Sequence, residues 1–278
     1  MSTPAVVVVH ADPALLAAAT SARLVTRLVD AQAARGHAHV VLTGGGVGIA
    51  TLTSLAASAA RDAVDWSAVD VWWGDERFLP DGHPDRNVTQ ARQALLDAVG
   101  LDPRRVHAMP AADGRYGDDP DAAAHAYADE LAAACGPADD RGVPTFDVLL
   151  LGVGPDGHVA SLFPEHPGLS ERERTVIGVH GSPKPPPMRI SLTFPAINAA
   201  CQVWLLAAGA EKAPAVGLAL TQAGESAVPA AGVHGRTETL WLLDRAAAAQ
   251  VPENRRDHAV NSCDHAVSVR RCASTETA

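Results

Sequence analysis

The stretch that most narrows what this chain can fold into is residues 146–166, FDVLLLGVGPDGHVASLFPEH. Its first six residues form a nearly continuous apolar run, the pattern of a strand buried on both faces of a parallel sheet. Gly152, Gly154 and Gly157 follow at once, and then His158. Glycine at a strand tip lets the backbone approach a ligand closely. Asp156 is placed to cap a helix expected to start just after it, and a helix start offers free N–H groups to an anion. A strand tip, a tight turn, an acid and a histidine therefore converge where open α/β folds usually carry their chemistry.

Two blander readings compete. Residues 152–157 fit GxGxxG, the dinucleotide fingerprint, and they follow a strand. That fold also needs an acid ending a strand about 20 residues further on. The next apolar run, 174–179, ends instead in His180 and Gly181. His158 taken alone is also compatible with a helix-cap or core histidine. The nearby Asp156 and the glycine-rich approach are what favour a site.

The rest of the chain repeats the strand–turn–helix rhythm. Strands are expected at 5–9, 39–42, 69–73, 174–179, 190–192, 203–206 and 239–243. Between them fall helices at 13–34, capped by Asp12, at 49–60, at 87–98, capped by Asn87, at 121–135 and at 211–220. Such alternation means an α/β fold with a largely parallel sheet. No composition break precedes Pro252, so residues 1–251 read as one domain and 252–278 as a disordered tail. The tail's His258, Cys263, His265 and Cys272 match no metal-ligand spacing.

Three other strand tips or loops carry candidate ligand groups. Thr43-Gly44-Gly45-Gly46-Val47-Gly48 makes either an anion cradle of backbone N–H groups or only a tight turn, and it lacks the Lys-Ser/Thr of a Walker loop. Gly74-Asp75-Glu76-Arg77 places charges at a strand tip, although an ordinary solvated loop has the same composition. The proline-rich loop 181–189 holds Lys184 and Arg189. Lys184 and Lys212 are the only lysines in the chain, so a lysine in that loop looks chosen, although plain solubility is the alternative.

Charge limits the partners. A net charge of −10 argues against nucleic acid, so an anionic substrate must be held by a few local cations. No apolar run reaches membrane-spanning length and no signal-peptide pattern opens the chain, so a cytoplasmic protein with no membrane partner is expected. Four scattered cysteines without a CxxC signal neither a disulfide framework nor a zinc site.

With these residues in hand, the chain resembles the glucosamine-6-phosphate isomerase/6-phosphogluconolactonase family. Four blocks carry the likeness: 43–48, then 73–77 with 83–87, then 152–163, then 183–193. Asp75-Glu76-Arg77 and Ala160-Ser161-Leu162-Phe163-Pro164 match the lactonase branch. The deaminase branch carries tyrosine in place of Arg77 and Phe-Asn-Glu-Pro after the shared Asp-Gly-His. One departure is Gly46-Val47-Gly48, where many members have Ser-Thr-Pro and hence a hydroxyl for the phosphate.

The resemblance implies a single three-layer α/β/α domain with a mostly parallel, modified Rossmann-like sheet. It also implies no metal or organic cofactor, a small-molecule substrate and a monomer or weak homodimer. The implied reaction is hydrolysis of 6-phospho-D-glucono-1,5-lactone. On that reading His158 is the general base, and Asp75 or Asp156 orients it or the sugar hydroxyls. Arg77, Lys184 and Arg189, with the amides of Gly44, Gly45 and Gly46, bind the phosphate. The rival readings are a glucosamine-6-phosphate deaminase-like isomerase and a non-catalytic sugar-phosphate sensor.

Overall fold

Apolar runs too short for buried helices become strands, and the segments between them supply the helices. In the computed structural model, which describes residues 5–137, 139, 141–221 and 223–256, the first half runs β1 (Val6–His10), α1 (Pro13–Arg35), β2 (Ala38–Leu42), α2 (Gly45–Ala57), β3 (Val69–Trp73), β4 (Asp75–Arg77), α3 (Asn87–Ala94) and α4 (Pro120–Ala133). The second half runs β5 (Val148–Gly152), β6 (Val176–Val179), β7 (Arg189–Leu192), α5 (Phe194–Ile197), β8 (Gln202–Ala207), α6 (Ala213–Leu220), β9 (Glu238–Asp244) and α7 (Glu253–Arg256).

Six strands pair in parallel in the order β1-β9-β8-β5-β2-β3. β5 lies in the interior of this sheet, and Val148, Leu149, Leu150 and Leu151 are all buried, which is why the run needs no polar alternation. α1 begins where expected. The Asp12 side chain accepts from Leu15 N at 2.8 Å, a cap that contributes about 1 kcal/mol. Its buried stripe includes Leu16, Leu24 and Leu28.

The connections fix where a site can form. β1, β2 and β3 step one way along the sheet, and β5, β8 and β9 step the other. Right-handed crossovers then send the two sets of helices to opposite faces. The direction reverses between β2 and β5, and the crevice beyond the C-terminal ends of those strands is the natural ligand site.

Several local expectations are corrected. α2 starts at Gly45 rather than at residue 49, so the glycines form its first turn instead of a preceding loop. Asn87 opens α3 but does not cap it: its side chain donates to Asp75 O, and the capping position is Arg86. No helix follows Asp156. Residues 153–162 form tight turns stitched by bridges between Val153 and Val159 and between Val159 and Leu162.

A second, antiparallel sheet, β4-β7-β6, was not anticipated, and α4 packs against β6 and β7. At the C-terminus, Val251, the last residue of the expected domain, is buried, and α7 beyond it packs against β1. The rest of the expected tail, including His258, Cys263, His265 and Cys272, lies outside the described residues.

Candidate active site

A cavity of about 350 Å³ opens at the switch point between β2 and β5. Thr43 to Gly48 line it from the start of α2, and Gly152, Val153, Gly154 and His158 line it from beyond β5. Asp75 and Arg77 come from β4, Asn87 from α3, Arg189 from β7, and Glu211 and Lys212 from the segment before α6. Of the residues expected from the sequence, Asp75, Arg77, His158, Arg189, Gly44, Gly45 and Gly46 meet on this one cavity. Asp156 and Lys184 stand directly behind His158.

The histidine is positioned by its own turn. Gly154 N donates to His158 O at 2.9 Å, closing the loop on itself. A Cβ on Gly154 would lie 1.9 Å from His158 Nδ1, so only glycine lets the ring fold back over the strand tip. Ala160, which also lines the cavity, holds φ at 48°, a left-handed conformation that costs about 1–2 kcal/mol. The opposite flank of the imidazole rests on buried Phe163, with ring centroids 4.6 Å apart.

His158 Nδ1 lies 2.5 Å from Asp156 Oδ1. Burial alone would push the Asp156 carboxyl up. The hydrogen bond from His158 and the charges of His158 and Lys184 outweigh it and hold the group well below the usual carboxylate range. An ionised Asp156 places the ring proton on Nδ1 and leaves Nε2 as the basic nitrogen.

Asp75 is a second, differently held carboxylate. It is buried, and its Oδ2 accepts from Ser161 Oγ at 2.7 Å, with Arg189 Nη1 at 3.9 Å. Its neighbour Glu76 is fully buried and accepts from three backbone N–H groups, those of Arg77, Asn87 and Val88. Glu76 thus ties β4 to the start of α3, a structural job. Arg189 spends most of its donors on its own loop, bonding the carbonyls of Lys184, Pro185 and Pro186.

One wall of the cavity carries donors suited to an anion. α2 points its N-terminal amides into it, and Gly44 at the N-cap has no side-chain cap to occupy them. Arg77 is anchored through Nη1 to Asp85 O at 2.6 Å. Lys212 was not among the expected site residues. Burial lowers its pKa, and the nearby charge of Lys184 lowers it further. The available signal was position: Lys212 is one of two lysines and follows the tip of a parallel strand, beyond Gly209.

An open parallel sheet with a switch-point cavity, a carboxylate–imidazole pair and a wall of amides and cations is the arrangement of an α/β enzyme, suited to a small anionic ligand. Residues 11–241 match the family model for glucosamine-6-phosphate isomerases/6-phosphogluconolactonase, and the chain belongs to that family. It is 67% identical over 254 residues to a 6-phosphogluconolactonase of Streptomyces coelicolor, covering 91% of this chain and 97% of that one. A 6-phosphogluconolactonase of Mycobacterium tuberculosis is 52% identical over 241 residues, covering 87% and 96%. Among solved structures, 6-phosphogluconolactonase from Trypanosoma cruzi superposes with a TM-score of 0.76 at 25% identity, covering 90% of this chain and 97% of that one.

Proposed function

We propose that the chain hydrolyses 6-phospho-D-glucono-1,5-lactone to 6-phospho-D-gluconate, a carboxylic ester hydrolysis in the oxidative pentose phosphate pathway. The observation that carries this is the Asp156–His158 pair beside the cation- and amide-lined cavity, together with the high identity to lactonases. No helix among the described residues is long and apolar enough to cross a membrane. A cytoplasmic location goes with this reading.

Lactone opening is acyl transfer to water. It needs a base for the water and an anchor that holds C1 in reach. His158 Nε2 takes a proton as the water oxygen bonds to C1. The tetrahedral intermediate then collapses by breaking the C1–O5 bond, and the imidazolium returns the proton to O5. Asp156 stabilises the imidazolium between these steps. Asp75, fixed by Ser161, receives hydrogen bonds from sugar hydroxyls.

Arg77, Lys212 and the α2 amides of Gly45 and Gly46 hold the phosphate at the other end, with Lys184 and Arg189 adding positive potential. An activated ester needs no covalent nucleophile in this scheme.

Freshly made lactone, with product coupled to 6-phosphogluconate dehydrogenase, tests the activity. Release well above the spontaneous rate is expected. A rate equal to the spontaneous one with folded protein rules the reading out.

A further inference from the structure

Lys184 reaches the base pair rather than the cavity wall. Its ammonium lies 3.3 Å from Asp156 Oδ1 and 3.1 Å from His158 Nδ1. An ammonium has donors only, and Nδ1 already carries the proton it shares with Asp156. The Lys184–Nδ1 approach is therefore donor against donor. If Nδ1 accepted from Lys184 instead, its lone pair would face the carboxylate and the hydrogen would sit on Nε2, which then could not take a proton from water. In either arrangement Lys184 opposes the state that hydrolysis needs. It also draws on the same Asp156 oxygen as the imidazole.

The backbone under this side chain is pinned while the side chain is not. Lys184 O accepts from Arg189 Nη2 at 3.1 Å and from Ser182 Oγ at 2.9 Å. Its side chain is 36% exposed, so the ammonium can move by rotation about its own bonds. Across the cavity mouth, Lys212 feels the charge of Lys184. A dianion bound at Lys212 would therefore draw Lys184 toward it. Asp156 on its own turn, Asp75 on β4 and Arg189 on β7 are each held by fixed partners, and Arg77, Glu211 and Lys212 line the same cavity as His158.

We propose that Lys184 is a ligand-gated switch, resting on Asp156 and His158 while the phosphate site is empty and drawn off them by a bound phosphoryl dianion. The proposal rests on His158 as the hydrolytic base. It makes the phosphate more than a handle: its arrival releases Asp156 to the imidazole, so selectivity for phosphorylated lactones enters kcat as well as KM.

The test follows His158 by long-range proton–nitrogen NMR, which needs no turnover, in wild type, Lys184→Met and Lys184→Gln. Sulfate serves as the tetrahedral dianion. Without sulfate, the Nδ1-protonated form of neutral His158 should be more populated in both variants than in wild type. Sulfate should move the wild type toward the variants and move the variants far less. Equal tautomer populations in the free proteins, or equal sulfate effects in all three, would overturn the switch.

In a parallel assay on unphosphorylated glucono-1,5-lactone, the variants should turn over faster than wild type, and slower turnover would also overturn it. If no protein hydrolyses either lactone while the NMR shifts hold, the hydrolytic reading fails and the Lys184 exchange stands.

Discussion

Asn87 Oδ1 fills the space where a side chain on Gly44 would begin: a Cβ there would lie 1.9 Å from it. That oxygen is buried and has no conventional hydrogen-bond partner among the described residues, so its close neighbour is the Gly44 α-carbon. On its other side the Asn87 amide donates to Asp75 O at 2.8 Å. One carboxamide thus sets the distance between the amide cradle at α2 and the carboxylate on β4.

Gly44→Ala should therefore displace the cradle rather than unfold the domain. KM for the phosphorylated lactone is expected to rise at least tenfold, with the unphosphorylated lactone little affected. Asn87→Ser, which removes the colliding oxygen, should restore most of the loss when combined with Gly44→Ala. Losses that simply add in the double variant would show that the two residues do not meet.

Arg77→Ala and Lys212→Ala should each weaken phosphate binding, because each removes a charge-assisted contact held in both ground and transition states. Steady-state kinetics on the two lactones check this. The drop in kcat/KM should be at least tenfold on the phosphorylated lactone and small on the other. Equal drops on both would place these cations away from the phosphate.

What the sequence disclosed, and what it hid, follows from how local each signal is. The β5 run, the Asp12 cap and the glycine turn before His158 are written within a few residues. Asp75-Glu76-Arg77 shows in the sequence only as charges at a strand tip, because three consecutive charges seldom make a strand. It becomes β4 because it pairs with β7, more than 100 positions on, while Glu76 accepts from the start of α3 and Asp75 accepts from Ser161. Gly45 and Gly46, poor helix formers, nonetheless make the first turn of α2. Lys212 sits in no motif, and only the sheet order brings it to the cavity.

His158→Asn keeps a polar side chain but removes the base. Turnover should fall by about 100-fold to 10,000-fold, the usual yield of general-base catalysis, while binding of 6-phosphogluconate survives. The loss of activity on acidification expected of the wild type should be missing from the variant. Near-normal kcat in a folded variant would pass the base role to Asp75 or Asp156.

A last prediction concerns the opposite end of the sheet. His107 lies flat on Trp72, with ring centroids 3.7 Å apart, and bridges two carboxylates, through Nε2 to Asp70 at 3.0 Å and through Nδ1 to Glu130 at 2.7 Å. Asp70 is near the start of β3, so this bridge is remote from the strand tips that carry the site. Burial pushes the imidazole's pKa down, but the hydrogen bonds to Asp70 and Glu130, with their charges, outweigh it and raise the pKa above 6.5. A group whose folded pKa is raised stabilises fully below its unfolded value, and the contribution fades as pH climbs through the folded value. The bridge should therefore be worth most at pH 6 and little at pH 9. His107→Gln should lower Tm by about 2–4 °C at pH 6, the shift expected of about 1 kcal/mol in a domain of this size. The gap from wild type should narrow at pH 9, and kcat on the phosphorylated lactone should be unchanged at either pH. A Tm gap that is constant with pH would mean that His107 acts by stacking on Trp72 alone and not as a charged bridge.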